Sequence, residues 1–165
     1  MIDLLNEERF ESIAHNDKGF ISAFDDAMTK LGYTFGNNIG SGYCWGRYML
    51  IYRKSGAKSK NVFARIYIRD ENIVLRLFLN AIDKHRGYIE NSPPHIKEVF
   101  VGDHGKCKHC HNDKAGTCKF RKTYTIDGHL IEKCNGITFE FPNPSIQRLP
   151  DYMSLLTEFY PKRKK

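Results

Sequence analysis

Residues 45–80 read WGRYMLIYRKSGAKSKNVFARIYIRDENIVLRLFLN, and this stretch decides the fold. It contains three runs rich in aromatic and β-branched side chains, at residues 45–54, 61–69 and 72–80, a composition typical of strands. A serine-glycine pair and an acidic turn sequence separate the runs. Strands joined by such short links pair antiparallel, so the stretch predicts a three-stranded meander.

Side chains in these runs alternate between the two faces of the predicted sheet. One face of the second and third strands takes only the apolar side chains of Val62, Ala64, Ile66, Ile68, Ile73, Leu75, Leu77 and Leu79. The other face mixes arginines with aromatic rings, and its candidate ligand contacts are Arg65, Tyr67, Arg69, Arg76 and Phe78, with Trp45 as a further candidate. Such a face suits a planar anionic ligand, or the stacked bases and phosphates of single-stranded nucleic acid. The alternative is that a helix covers the face and packs on the arginine stems.

Helical patterns flank the three strands. Apolar side chains recur at helical spacing after Asn16 and stop at Gly32, and a second such stretch closes at Ser92. The predicted helices are residues 16–31, 81–91 and a last helix from Ser145 or Asp151 to 159, and the further predicted strands are 122–126, 130–133 and 137–141. This order of elements predicts an α+β fold, an antiparallel β meander with flanking helices.

Four of the five cysteines lie in one segment. Cys107 and Cys110 form a C-x2-C pair, Cys118 follows after seven residues, and Cys134 follows after fifteen more. A two-residue gap lets both thiolates of the pair face one ion, and a hairpin at Asp127-Gly128 can bring the other two cysteines together. Four thiolates in tetrahedral positions make a closed structural zinc site. The sequence therefore predicts a small four-cysteine module with structural zinc as its cofactor.

Other chemistry is open to the same segment. An iron–sulfur cluster or redox-active thiols would use the same residues, and a nearby histidine could replace one cysteine, with His104, His109, His111 and His129 as the candidates. Cys44 stands apart beside Trp45 and is expected to be a small buried hydrophobe. The predicted organisation is one compact chain, with residues 1–101 and 135–165 as the α+β domain and 102–134 as the inserted zinc-binding module.

The net charge of +7 is unevenly distributed. Between Asp26 and Asp70 there is no acidic residue, although eight lysines and arginines occur there, and the chain ends in a run of four basic residues at 162–165. Such a field favours anionic partners, which include nucleic acid, phosphorylated metabolites and acidic proteins. The alternative is a soluble basic surface with no dedicated partner.

The chain shows no membrane or export signal in its sequence. No apolar run approaches the roughly 20 residues that span a bilayer, and the N-terminus carries acidic residues where a signal peptide would be basic. We therefore expect a cytoplasmic protein without a membrane partner. In that compartment thiols stay reduced, which favours metal ligation over disulfides.

The WGRYMLIYRKSG strand and turn, the two strands after it and the helix that leads to PPHIKEVF resemble small bacterial α+β domains of the YdhG-like and GyrI-like effector-binding kind. The resemblance covers Trp45 to Phe100, about a third of the chain. It implies a cytoplasmic domain that binds a small molecule in a cleft on the sheet. The cysteine segment departs from that pattern, so no ligand preference and no functional residue is carried over.

Three functions follow as hypotheses. The first is a non-catalytic, zinc-stabilised module that binds a planar or anionic small molecule on the arginine-bearing face. The second is a nucleic-acid-binding zinc protein that uses the zinc module, the loop at 54–60 and the basic tail, and the third is an enzyme. The acid-base candidates for an enzyme are scattered along the chain: His85, His95, His104, Asp83 and Glu90. The ligand's identity and the oligomeric state are not specified by the sequence.

Overall fold

The computed structural model describes residues 2–56, 61–102, 121–134 and 136–161. The helices in this part are α1 (Ile2–Leu5), α2 (His15–Lys30), α3 (Arg86–Glu90), α4 (Pro94–Val101) and α5 (Leu149–Phe159). The strands are β1 (Tyr33–Thr34), β2 (Gly40–Ser41), β3 (Tyr48–Lys54), β4 (Val62–Ile68), β5 (Ile73–Phe78), β6 (Lys122–Ile126), β7 (His129–Lys133) and β8 (Thr138–Pro142). Short 3-10 turns cover Glu8–Phe10, Tyr43–Trp45, Ile82–His85 and Ile146–Arg148.

Six of these strands form one antiparallel sheet, in the order β1-β3-β4-β5-β8, with β2 also paired to β3. The predicted meander is the centre of this sheet, because β3 pairs antiparallel with β4 and β4 with β5. The α+β class is therefore confirmed. Three of the four predicted zinc ligands, Cys107, Cys110 and Cys118, lie outside the described residues, so the zinc module stays a prediction.

The chain forms two compact units, Met1–Phe78 with Glu140–Lys165, and Leu79–Phe139. The predicted insertion at 102–134 falls inside the second unit, which also contains α3 and α4. The two ends of the second unit meet, since the Leu79 N–H donates a hydrogen bond of 2.8 Å to the Ile137 carbonyl oxygen.

The core of the first unit lies where helices pack on the apolar sheet face. The Phe24 ring of α2 meets the Tyr52 ring of β3 edge-on at 5.2 Å, and Tyr152 of α5 lies 5.1 Å from Phe141. The side chains of Leu50, Ala64, Ile66, Leu75 and Leu77 on this face are fully buried. Each large side chain that is buried in this way contributes about 1.5–3 kcal/mol, which makes this face the main source of stability.

The second unit holds a hairpin of β6 and β7 against residues that precede it in the chain. The Asp83 carboxylate accepts the Thr125 N–H at 3.0 Å, and Glu90 accepts the Asp127 N–H at 2.8 Å. The bond from Thr125, together with the Arg86 guanidinium at 2.9 Å, lowers the pKa of Asp83. These two carboxylates, which the sequence offered as acid-base candidates on one helix, are placed by a 3-10 turn and by α3 and serve to hold the hairpin.

Helix α4 is absent from the sequence prediction, which treated residues 92–94 only as the end of a helix. Pro94 stands at the start of α4. Proline is favoured in the first helical turn, because its missing N–H has no partner there and its φ angle already suits a helix. No helix in the described residues is long and apolar enough to cross a membrane.

Candidate ligand-binding site

The six predicted contact residues form one connected cluster in the first unit. The sheet register places Arg65 of β4 directly opposite Arg76 of β5, and Tyr67 opposite Val74. Phe78 ends β5, Arg69 directly follows β4, and Trp45 comes from the 3-10 turn before β3. The cluster is therefore a product of strand alternation plus one loop.

Trp45, Tyr67 and Arg76 make the centre of the cluster. The Trp45 and Tyr67 rings are stacked, with centroids 6.0 Å apart and planes at 27°. The Arg76 guanidinium carbon lies 4.1 Å from the Trp45 ring centroid and 4.9 Å from that of Tyr67. A guanidinium at these distances is attracted by the negative ring faces, so the arginine holds both rings in place.

Glu140 of β8 neutralises Arg76, and the sequence analysis did not identify it. The Arg76 Nε donates a hydrogen bond of 2.8 Å to the Glu140 Oε1, and the Arg76 Nη2 contacts the same oxygen. Arg76 is only 5% exposed. A buried guanidinium needs such a partner, because an unpaired charge out of water is costly. The signal was present in the strand ITFEF, where Glu140 is the one charged residue among apolar ones.

Arg65 has a different environment on the same face. Its guanidinium carbon lies 5.2 Å from the Phe78 ring centroid, and its Nη1 donates to the Tyr67 hydroxyl at 3.3 Å. Its Nε is enclosed and, within the part of the chain that the structure describes, has no hydrogen-bond partner. Arg65 thus contacts one aromatic ring and a hydroxyl, whereas Arg76 contacts two rings and a carboxylate.

The loop at 41–47 carries Trp45 to the sheet. The Arg47 N–H donates to the Ile68 carbonyl at 2.8 Å, and the Arg69 Nε donates to the Trp45 carbonyl at 3.1 Å. Two glycines permit this close approach: a Cβ on Gly42 would lie 2.2 Å from the Gly46 oxygen, and one on Gly46 would lie 2.6 Å from the Ile68 oxygen. The loop is therefore fixed against the sheet by backbone contacts.

An open depression of about 620 Å³ lies along this loop. Its lining includes Tyr43, Trp45, Arg47, Arg69 and Asp70. Tyr43 is 80% exposed and Trp45 is 40% exposed. The Trp45 ring is nevertheless held in place by Tyr67 and Arg76. The depression offers ring surfaces and two guanidinium groups in one place, which suits a flat molecule with a negative group.

The six predicted residues differ in how accessible they are. Tyr67 and Arg76 are buried, Arg65 and Phe78 are half-buried, and Trp45 and Arg69 are exposed. Two of the six, Trp45 and Arg69, line the depression, while Tyr67 and Arg76 support Trp45 from within. Cys44, expected to be a small buried hydrophobe, is instead exposed, because it lies in the surface turn beside Trp45.

Cys134 is the predicted zinc ligand that lies within the described residues. It follows β7 directly and has a half-exposed, free thiol. Lys133 pairs with Lys122 at the open end of the hairpin, and Lys122 is four residues after Cys118. Cys118 lies outside the described residues.

Comparisons of the chain with protein-family models, with curated proteins and with solved structures found no match.

Proposed function

We propose that this chain is a non-catalytic module that binds a planar anionic small molecule in the depression along the loop at 41–47. The observation that carries the proposal concerns Trp45. Tyr67 and Arg76 fix its ring in position, and Trp45 is still 40% exposed. A ring held in place in advance loses little freedom when a ligand stacks on it, so more of the contact energy is left for binding.

The charges of the rim support an anionic ligand. Arg47 and Arg69 both line the depression, and Asp70, 3.4 Å from Arg47, offsets one of them. A volume of about 620 Å³ is within the range of small-molecule sites, which run from about 300 to 1,000 Å³. The depression has the size for a small molecule and one excess positive charge to hold it.

The test uses Trp45, which is the only tryptophan in the sequence, so its fluorescence reports on this site alone. We expect a saturable change in emission when benzoate, phenyl phosphate or adenosine monophosphate is titrated into the protein. We expect benzyl alcohol, which is planar but neutral, to bind about tenfold more weakly than benzoate, because it lacks the charge-assisted hydrogen bonds.

Two arginine variants control this experiment. Arg69→Gln removes a guanidinium from the rim and should weaken the binding of benzoate, while Arg53→Gln removes the same charge from an exposed position on β3 and should not. The absence of any saturable change with all three anions would refute the proposal. If instead single-stranded DNA binds with an affinity that falls steeply with salt, the nucleic-acid hypothesis would replace it.

The proposal includes structural zinc held by Cys107, Cys110, Cys118 and Cys134, and the free thiol at the hairpin end supports it. We expect close to one zinc per chain by plasma mass spectrometry, and its loss in Cys134→Ser, because a three-thiolate set binds zinc less tightly. Cys44→Ser, at a cysteine outside the set, should keep the metal. Iron in the purified protein, or equal zinc in both variants, would contradict this expectation.

A further inference from the structure

Two guanidinium groups lie directly opposite each other on the neighbouring strands β4 and β5, and the carboxylate of Glu140, on the far side of β5, contacts one of them. Arg65 and Arg76 are directly paired in the register of β4 and β5, and Glu140 binds Arg76. Like charges directly opposite on a sheet are destabilising. Of the two arginines, only one is therefore balanced by a carboxylate within the described part of the chain.

The uncompensated charge is that of Arg65. Its contacts within the described residues are the Phe78 ring and the Tyr67 hydroxyl, and neither carries a negative charge. It is half-buried, so water screens it less than it screens Arg69 or Arg53, which are exposed. A guanidinium in such surroundings gains more from an added anion than one in open water, because the effective dielectric constant is lower.

Two aromatic residues, Phe63 and Phe78, share the strand face that carries Arg65. Phe63, two residues before Arg65 on the same face, packs edge-on against Tyr160 at 4.8 Å, and the Tyr160 hydroxyl donates to the Phe78 carbonyl oxygen. The backbone of Phe78, whose ring the guanidinium contacts, is thus tied to Tyr160. An anion at this guanidinium would therefore lie beside an aromatic ring and a hydroxyl group.

We infer that Arg65 is the anchor of an oxyanion site, for a carboxylate or a phosphate group, that is separate from the lining of the depression at 41–47. A planar guanidinium is matched to such groups because it binds two oxygens at once through parallel N–H donors. The site goes beyond the proposed function, since it needs no ligand in the depression. The oxyanion is either a free ion or the acid group of an aromatic molecule, and both use the same contact.

The test compares inorganic phosphate with chloride at equal ionic strength. We expect phosphate to raise the melting temperature of the wild-type chain in a saturable manner, and to shift the NMR signal of the Arg65 Nε–H, which Arg65→Gln identifies by its disappearance. In Arg65→Gln the affinity for phosphate should fall about tenfold or more. Arg53→Gln, the matched loss of one charge on β3, should leave it unchanged.

The stability of Arg65→Gln in the absence of phosphate shows whether Arg65 binds an anion or only stabilises the fold. If the inference holds, the variant is at least as stable as the wild type, because it removes one of two opposed like charges. A response of Arg65→Gln to phosphate that equals the wild-type response, or no saturable response of the wild-type chain to phosphate, would overturn the inference. These results do not depend on the depression, so they are distinct from a failure of Trp45 to report binding.

Phenyl phosphate then identifies the source of the oxyanion. If it shifts the Arg65 signal at lower concentration than inorganic phosphate, the anion belongs to an aromatic ligand. Equal concentrations would assign the site to a free ion. Both results support an anion at Arg65.

Discussion

The variant Glu140→Gln should lose about 3 kcal/mol of unfolding free energy, because it removes the carboxylate that neutralises Arg76. Breaking a buried ion pair from one side costs about 3–5 kcal/mol, and we expect the lower end because the Glu140 side chain is 39% exposed. Arg76 would then remain almost fully enclosed, with a second guanidinium, Arg65, directly opposite. Urea unfolding followed by far-ultraviolet circular dichroism measures the loss.

The control for this prediction is an arginine–carboxylate pair on the surface. Asp70→Asn removes the partner of Arg47 in an exposed pair, and such pairs contribute about 1 kcal/mol or less. The double variant Arg76→Met with Glu140→Leu should regain most of the stability that Glu140→Gln loses, because no unpaired charge remains. A Glu140→Gln protein as stable as Asp70→Asn would show that the pair does not hold β8 to β5.

Alanine at Gly42 or Gly46 should displace the loop at 41–47 and abolish binding in the depression. The new Cβ would lie 2.2 Å or 2.6 Å from backbone oxygen atoms, which cannot move aside as a flexible side chain can. We expect a cost of about 1–3 kcal/mol in stability. The emission of Trp45 should also shift to longer wavelength, because its ring leaves Tyr67 and Arg76 for water.

Gly40→Ala is the matched control. Gly40 lies in the same glycine-rich stretch, and a Cβ there has no heavy atom within 4 Å. Its stability and Trp45 emission should therefore match those of the wild-type chain. If the Gly42 and Gly46 variants behave like Gly40→Ala, the loop does not need the close backbone contacts, and the fixed position of Trp45 has another cause.

Strand alternation predicted most of the site because it is a local property of the backbone. Arg65, Tyr67, Arg76 and Phe78 were assigned to one face by counting every second residue, and the structure places their side chains in contact. The counting could not say how deeply each is buried. Tyr67 and Arg76 are enclosed, so in the proposed site they support the ring of Trp45 and are not themselves open to a ligand.

The alternation of side chains along a strand could not predict contacts between residues that are far apart in the sequence. Glu140 reaches Arg76 because β8 pairs with β5, and strands 60 residues apart carry no local signal of their pairing. Asp83 and Glu90 were acid-base candidates because both are ionisable residues of the helix predicted at 81–91. In the structure each binds a backbone N–H of the hairpin, a partner that lies about 40 positions along the chain.

The close meeting of Leu79 and Ile137 bears on the order in which the chain folds. The second unit, Leu79–Phe139, lies in the chain between β5 and most of β8, two neighbours in the sheet. Closing a disordered loop of that length costs about 3–4 kcal/mol of chain entropy, and a folded unit whose ends already meet removes this cost. We therefore expect β8 to join the sheet only after the second unit has folded, so that the Arg76–Glu140 pair forms among the last contacts of the first unit.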